Sequence, residues 1–283
     1  MKMDYSSSGK QTISIRGSNA TDVAVFLDGV RLNDANTGVA DLSTIDLNAL
    51  EQIQVIKGGN SSLFGSGAIG GVLNMESKTA QKNSLYLNSG AGQTYDDDMD
   101  LSLGATAVLG PAGIGGRYTA KARAFGGRTT TTSLFANAFG GLDLRSGRLD
   151  MRWFQLNKNL EFPSGSVDSG DSLSILSVNY RGDILGTSGW KFLAGLKDWS
   201  LNQDFFSSLN EYLSDHSRNI HVSKFINWWD FEGTVQYEAE YQTFDGDKSY
   251  FNINGDPVVH HIADMDRNTN ALAFVTRWSA DAD

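Results

Sequence analysis

From residue 80 onward the chain alternates apolar and polar residues with period two, segment after segment. From Met99 to Leu109 the odd positions Met99, Leu101, Leu103, Ala105, Ala107 and Leu109 are apolar, with Asp100, Ser102, Gly104 and Thr106 between them. Phe231, Val235, Tyr237, Ala239 and Tyr241 alternate in the same way with Glu232, Thr234, Gln236, Glu238 and Glu240. Successive side chains of a strand point to opposite faces, so each segment has one apolar and one polar face. The pattern predicts strands near 83–92, 98–109, 116–127, 132–142, 147–157, 173–182, 189–200, 218–228, 231–244 and 267–279, with almost no helical periodicity among them. Before residue 80 short apolar runs (Ile13–Ile15, Val23–Leu27, Ile53–Ile56, Val72–Met75) surround a stretch that reads as helical, "STIDLNALEQ". This predicts a small mixed α/β unit over 1–79 and a β-rich unit over 80–283.

The connections sharpen the second unit. Those at 110–115, 143–146, 183–188 and 229–230 are short, those at 158–172, 201–217 and 245–266 long, and from the fifth strand onward the two kinds alternate. In an up-and-down sheet all the long ones then lie at one end, as in outer-membrane barrels. A soluble sandwich would alternate too. The polar faces, however, carry Arg117, Lys121 and Arg123, or Arg148, Asp150 and Arg152, or Glu232, Glu238 and Glu240, a charge density that is expected to face water. Trp153, Trp190, Trp199, Trp228, Trp229 and Trp278 fall near strand ends, where a bilayer interface would place an aromatic girdle.

Composition removes several classes. A net charge of −10 leaves no basic surface for nucleic acid. The absence of cysteine excludes disulfides and thiolate chemistry. No run reaches the roughly 20 apolar residues of a spanning helix, which does not bear on spanning strands. The first residues, "MKMDYSSSGKQTISIRG", lack the apolar core of a signal peptide, so either the chain is not exported or its start lies upstream.

Gly65-Ser66-Gly67-Ala68-Ile69-Gly70 satisfies G-x-G-x-x-G, but the preceding strand is expected to end at Lys57 and no helical face follows Gly70. No Gly-Lys-[Ser/Thr] closes a P-loop either. The wider frame is more informative. "SIRGSNATDVAVFLDGVRLND" and "ADLSTIDLNALEQIQVIKGGNSSLFGSGAIGGVLNMESK" resemble, as an ordered set over about residues 13–78, the plug domain of TonB-dependent outer-membrane transporters. The family pattern is carried by Arg16, Gly17, Asp28, Gly29, Val30, Glu51, Ile53, Val55, Gly58, Ser61, Gly65, Ala68, Gly70, Gly71, Val72 and Asn74. In detail the stretch is most similar to the vitamin B12 branch, whereas Gln52 and Lys57 stand where the family usually has arginine.

The resemblance implies a mainly β protein, a partial α/β plug followed by about ten antiparallel strands of a 22-stranded barrel, in the bacterial outer membrane. It implies no enzyme, but TonB-driven uptake of cobalamin or a ferric siderophore, with the TonB complex and outer-membrane lipid as partners. A passive porin-like channel or a soluble β-rich binding protein are the competing expectations. The family's TonB box and remaining strands are expected on either side of an internal fragment. Ligand contacts are expected at the plug's apical loops, Ser18, Asn19, Ala20 and Thr21 with Asn33, Asp34, Asn36 and Thr37. No cofactor is implied. Asp96, Asp97 and Asp98 offer carboxylates for Ca²⁺, which acidic outer loops of the B12 branch bind, but lack the Asp-x-Asp-x-Asp-Gly order. His260, His261, Asp264 and Asp266 have metal-ligand types, although adjacent histidines on a strand point apart.

Overall fold

The computed structural model describes residues 2–5, 11–57, 68–79, 81–93, 96–125, 129–161, 167–184, 186–205, 209–228, 231–251 and 257–278. Strands β1 (Lys2–Tyr5) and β2 (Gln11–Ser14) form an antiparallel pair. A four-stranded sheet follows, made of β3 (Val23–Leu27), β4 (Val30–Arg31), β5 (Leu50–Lys57) and β6 (Gly71–Ser77) in the order β4-β3-β6-β5. The five apolar residues of β3 are all buried, as a central strand covered on both faces requires. It runs parallel to β6 from Val23↔Gly71 to Leu27↔Met75 and joins β4 through Asp28-Gly29. Both turn residues have positive φ, 51° and 83°, the conformation of the tightest two-residue hairpins and one that Asp-Gly adopts readily.

The expected helix over "STIDLNALEQ" is absent. Two single 3-10 turns, Leu42–Thr44 and Leu47–Ala49, precede β5. Asp41 and Asp46 cap them, accepting from Ser43 N at 2.9 Å and Asn48 N at 3.2 Å. Each turn ends where a buried apolar residue, Ile45 or Leu50, takes an extended backbone to reach the core. Core packing thus overrides a helical spacing that spans too few residues to sustain a helix.

The rest of the described chain is one antiparallel meander: β7 (Ser84–Gln93), β8 (Asp96–Leu109), β9 (Ala112–Phe125), β10 (Thr129–Leu144), β11 (Gly147–Glu161), β12 (Val167–Ile184), β13 (Thr187–Phe205), β14 (Leu209–Trp228), β15 (Phe231–Phe251) and β16 (Pro257–Trp278). Each pairs with the next, and β7 and β16 are the sheet's edges. All ten expected strands are present. Within the expected long connections the strands run on into 158–161, 167–172, 201–205, 209–217, 245–251 and 257–266, and 162–166, 206–208 and 252–256 lie outside the described residues. Past the apolar belt both faces of these strands become polar, as in "EYLSDHS", and the period-two signal fades although the ladder continues.

One sheet face is an apolar belt exposed at Leu85, Leu87, Met99, Leu101, Leu103, Tyr118, Leu134, Met151, Trp153, Leu196, Ile220, Tyr237 and Leu272. The other lies against the plug, and here the water-facing expectation holds for Glu232, which is exposed, but fails at other charged positions. Lys158, Lys197, Asp150, Asp215 and Glu240 are buried, and Arg152 and Lys121 pair with plug carboxylates. The wall also contributes apolar side chains: Phe135, Phe154, Leu156, Leu173 and Ile175 complete one cluster with Ile13, Ile15, Val23, Val25, Leu27, Leu73 and Met75 of the plug. This cluster therefore closes against the wall, whereas Ala24, Phe26, Ala68 and Val72 form a second one within the plug. Trp199 departs from the girdle as well, since it packs against this cluster, whereas Trp153 is exposed on the belt and Trp190 donates to Thr187 Oγ1 at the short-turn end. The Trp228, Trp229 and Trp278 side chains lie outside the described residues.

Candidate functional site

Among the described residues, most plug–wall contacts fall into three seams. The Asp28-Gly29 hairpin forms the first. Asp28 Oδ1 accepts from Ser77 N at 2.9 Å and pairs with Arg152 Nη1 at 2.8 Å, and Oδ2 accepts from Ser77 Oγ at 2.7 Å. Gly29 O accepts from Asn219 Nδ2 at 3.1 Å. Val30 then lies against Gly195 of β13, where a Cβ would fall inside van der Waals contact of Val30 Cγ2 and the Asn219 side chain. Gly195→Val is accordingly expected to lift the hairpin off the wall without unfolding the barrel. Limited proteolysis would report it as faster cutting of the plug at an unchanged heat-modifiable gel shift; unchanged cutting would show that the seam does not need the close approach.

The second seam lies nearer the short-turn ends of β9 and β10. Asp46, 1% exposed, accepts from Thr119 Oγ1 at 2.9 Å and from Lys121 Nζ at 3.0 Å. Asn48 O accepts from Lys78 Nζ at 2.9 Å and from Arg117. Burial, and then the Arg117 charge, lower the Lys78 pKa from its ordinary value. Glu51 ties this region to the first residues beyond the plug, accepting from Gln81 Nε2 at 2.7 Å and Thr79 Oγ1 at 3.4 Å. Arg31, buried over the Phe26 ring, is a further charge facing the wall. Burial lowers its pKa, Glu240 opposes that, Arg267 adds to it and Glu238 opposes it.

The third seam holds the candidate ligand pocket, a cavity of about 250 Å³ toward the side of the 162–166 and 206–208 connections. Thr12, Leu32, Asp34, Thr37, Val39 and Asp41 come from the plug, and Asp171, Leu173, Lys197, Trp199 and Asp215 from β12, β13 and β14. Of the expected apical residues, Asp34 and Thr37 line it. Asp34 Oδ1 accepts from Thr37 N at 2.5 Å, and its Oδ2 from Thr37 Oγ1, which shapes the loop tip. Asn33 is buried and is a framework residue: its amide serves Val25 N, Val23 O and Gly38 O, each at 2.9 Å. Asn36 is exposed at the tip.

Ser18, Asn19, Ala20 and Thr21 form the neighbouring loop, outside the pocket lining but with Thr21 beside Gly38. There Ser18 N donates to Ile15 O at 3.1 Å and Asn19 N to Asp22 Oδ2 at 3.0 Å. Arg16 and Gly17 make the preceding turn with φ of 56° and 79°. Gly70 N donates to Asp22 O at 2.9 Å, Gly71 opens β6 beside Val23, and Asn74 sits mid-sheet between Phe26 and Gln54. Gly58 and Gly65 lie outside the described residues. So do the Asp96, Asp97 and Asp98 side chains, whose backbone opens β8 instead of forming a turn. His260 stacks on Tyr250 at 5.7 Å and His261 Nδ1 pairs with Asp247 at 2.5 Å, so the two rings have separate partners. Among the described residues no group of three or more His, Cys, Asp or Glu is placed to hold a metal ion.

Sequence reasoning missed Lys197, Asp215, Trp199 and Gln242. For Lys197, Trp199 and Gln242 the signal present was strand parity, which places them on the lumenal face without saying which lumenal residues meet the plug; Asp215 lies in the 209–217 extension, where the period fades and gives no such signal.

An outward apolar belt, an inward polar wall and a small mixed sheet seated against that wall define the class of plugged outer-membrane β-barrels. Residues 3–72 match the family described as TonB-dependent Receptor Plug Domain. Over those residues the chain carries that plug, and with it belongs to the outer membrane. Solved structures of the same fold include the pyoverdine outer membrane receptor FpvA from Pseudomonas aeruginosa PAO1 bound to pyoverdine (13% identity, TM-score 0.75, 99% of this chain and 50% of that one). The siderophore receptor PiuA from Acinetobacter baumannii is similar (14%, TM-score 0.67, 97% and 49%), as is the copper transporter OprC (14%, TM-score 0.75, 97% and 46%). The chain thus spans about half the length of these structures.

Proposed function

We propose that this chain serves TonB-dependent uptake of a scarce ligand, cobalamin or a ferric siderophore, across the outer membrane. The supporting observation is the pocket between the Asn33–Gly38 loop of the plug and the wall strands β12, β13 and β14. A ligand held there touches both parts of the fold, so movement of the plug changes its surroundings directly. The apical loops Ser18–Thr21 and Asn33–Thr37, with the wall's upper strands, would bind it. The TonB complex would supply the force, and lipid would surround the belt. Cobalamin is favoured by the likeness of "IRGSNATDVAVFLDGVRLN" to the B12 branch, and an iron chelate by the structural likeness to siderophore receptors. No covalent step is involved, so uptake reduces to differential binding by two plug states. Uptake of labelled cyanocobalamin and of labelled ferric siderophores is measured in cells with and without TonB. Uptake of one of these that collapses without TonB is expected; uptake undiminished in its absence would sink the proposal.

A further inference from the structure

Three wall side chains are buried and reach a plug segment that no strand holds. Asp215 of β14 and Gln242 of β15 are 0% exposed and Lys197 of β13 is 2% exposed. Asp215 Oδ2 accepts from Ala35 N at 3.0 Å, Lys197 Nζ at 3.1 Å and Gln242 Nε2 at 2.8 Å, and its Oδ1 accepts from Gln242 Nε2 at 2.9 Å. Asn33 O accepts from Lys197 Nζ at 3.3 Å and Gln242 Nε2 at 3.2 Å. Gln242 Oε1 is itself held by Arg267. The Lys197–Asp215 pair is electroneutral and its carboxylate is fully supplied with donors.

A buried ion pair adds little stability over two apolar residues of similar volume. What this one adds is position. Its donors and acceptor are completed by the plug backbone at Asn33 and Ala35, and the Asn33 side chain carries that position to Gly38. Lys197 and Asp215 also line the pocket beside Asp34 and Thr37. We propose that Lys197, Asp215 and Gln242 are positioning residues, a socket in the wall that fixes the Asn33–Gly38 loop and so sets the shape of the pocket. The consequence for uptake rests on the transport reading above; the socket itself is tested without a ligand.

The 283 residues contain no cysteine, so a nitroxide can be placed at exposed Asn36 through Asn36→Cys, with Gln54→Cys on β5 as the reference site. Electron paramagnetic resonance is recorded on the protein in outer membranes. Asp215→Asn and the double variant Lys197→Met/Asp215→Leu are compared with the unsubstituted socket. The double variant removes both charges and therefore strands neither, which keeps the test valid if Asp215→Asn does not fold. In it the mobile component of the Asn36 spectrum is expected to rise about tenfold, with the Gln54 spectrum and the barrel's heat-modifiable migration unchanged. An Asn36 spectrum that stays immobile in the double variant would overturn the socket. Uptake that proved independent of TonB would remove the transport reading and leave these spectra as they are.

Discussion

Asp28→Ala is expected to destabilise the seated plug by about 3–5 kcal/mol, the range for breaking a buried pair and stranding one charge. Arg152 would be that charge, since its side chain is 10% exposed and Asp28 Oδ1 holds its Nη1. The same substitution removes the acceptor for Ser77 N and Ser77 Oγ, which ties the end of β6 to the hairpin. It also puts alanine at φ 51°, which adds about 1 kcal/mol. Two further variants separate these causes. Asp28→Asn tolerates the positive φ and keeps one acceptor while losing the charge, so an intermediate loss is expected. Arg152→Met in the Asp28→Ala background removes the stranded cation and is expected to recover most of the ion-pair part. The readout is the urea midpoint for protease cutting of the plug. A double variant no more stable than Asp28→Ala would mean that the ion pair does not carry the loss.

This seam shows what the sequence makes legible and where it falls silent. "FLDGVR" reads as a tight hairpin from Asp-Gly alone, and the structure has that turn. That Asp28 is also an ion-pair partner cannot be read locally, because Arg152 is 124 residues away and becomes a neighbour only when β11 enters the wall. The ten strands were legible because one face meets an apolar surround along its whole length. The strand extensions were not, because polar surroundings on both faces erase the period. Gln52, which drops the charge of the family's usual arginine, and Lys57, which keeps it, are both exposed on β5. Pairing is supplied instead by Asp28 with Arg152 and Asp46 with Lys121. At the pocket, the loop residues Asp34 and Thr37 were accessible to sequence reasoning, but the wall half was one parity class among many lumenal residues.

Ile220→Lys is expected to destabilise the barrel by about 2–4 kcal/mol, the cost of a basic side chain on the lipid face near the bilayer midplane. Its depth follows from the register. Ile220 lies in an outward row with Met151, Val178, Ala194 and Ala239 across five strands. The row on the short-turn side, Leu149, Tyr180, Phe192, Val222 and Tyr237, is apolar and aromatic as well. Two rows the other way stand Gln155, Ser174, Asp198, His216 and Thr243, with His216 Nδ1 2.7 Å from Asp198 Oδ1. Such a polar row cannot face hydrocarbon and so marks the interface. Rows on one face are two residues apart, about 6.7 Å along a strand, which sets Ile220 two rows inside that boundary; in the row between, Trp153, Leu176, Leu196, Arg218 and Tyr241, the long Arg218 side chain reaches toward the polar row. His216→Lys on β14 keeps the strand and the chemistry of the introduced group but changes the depth, so its cost is expected at about 0–1 kcal/mol. Urea midpoints of the heat-modifiable fold in lipid vesicles compare the two. Equal midpoints would displace the hydrocarbon boundary from the Asp198–His216 row, and with it the assignment of the strand extensions beyond that row to the aqueous side.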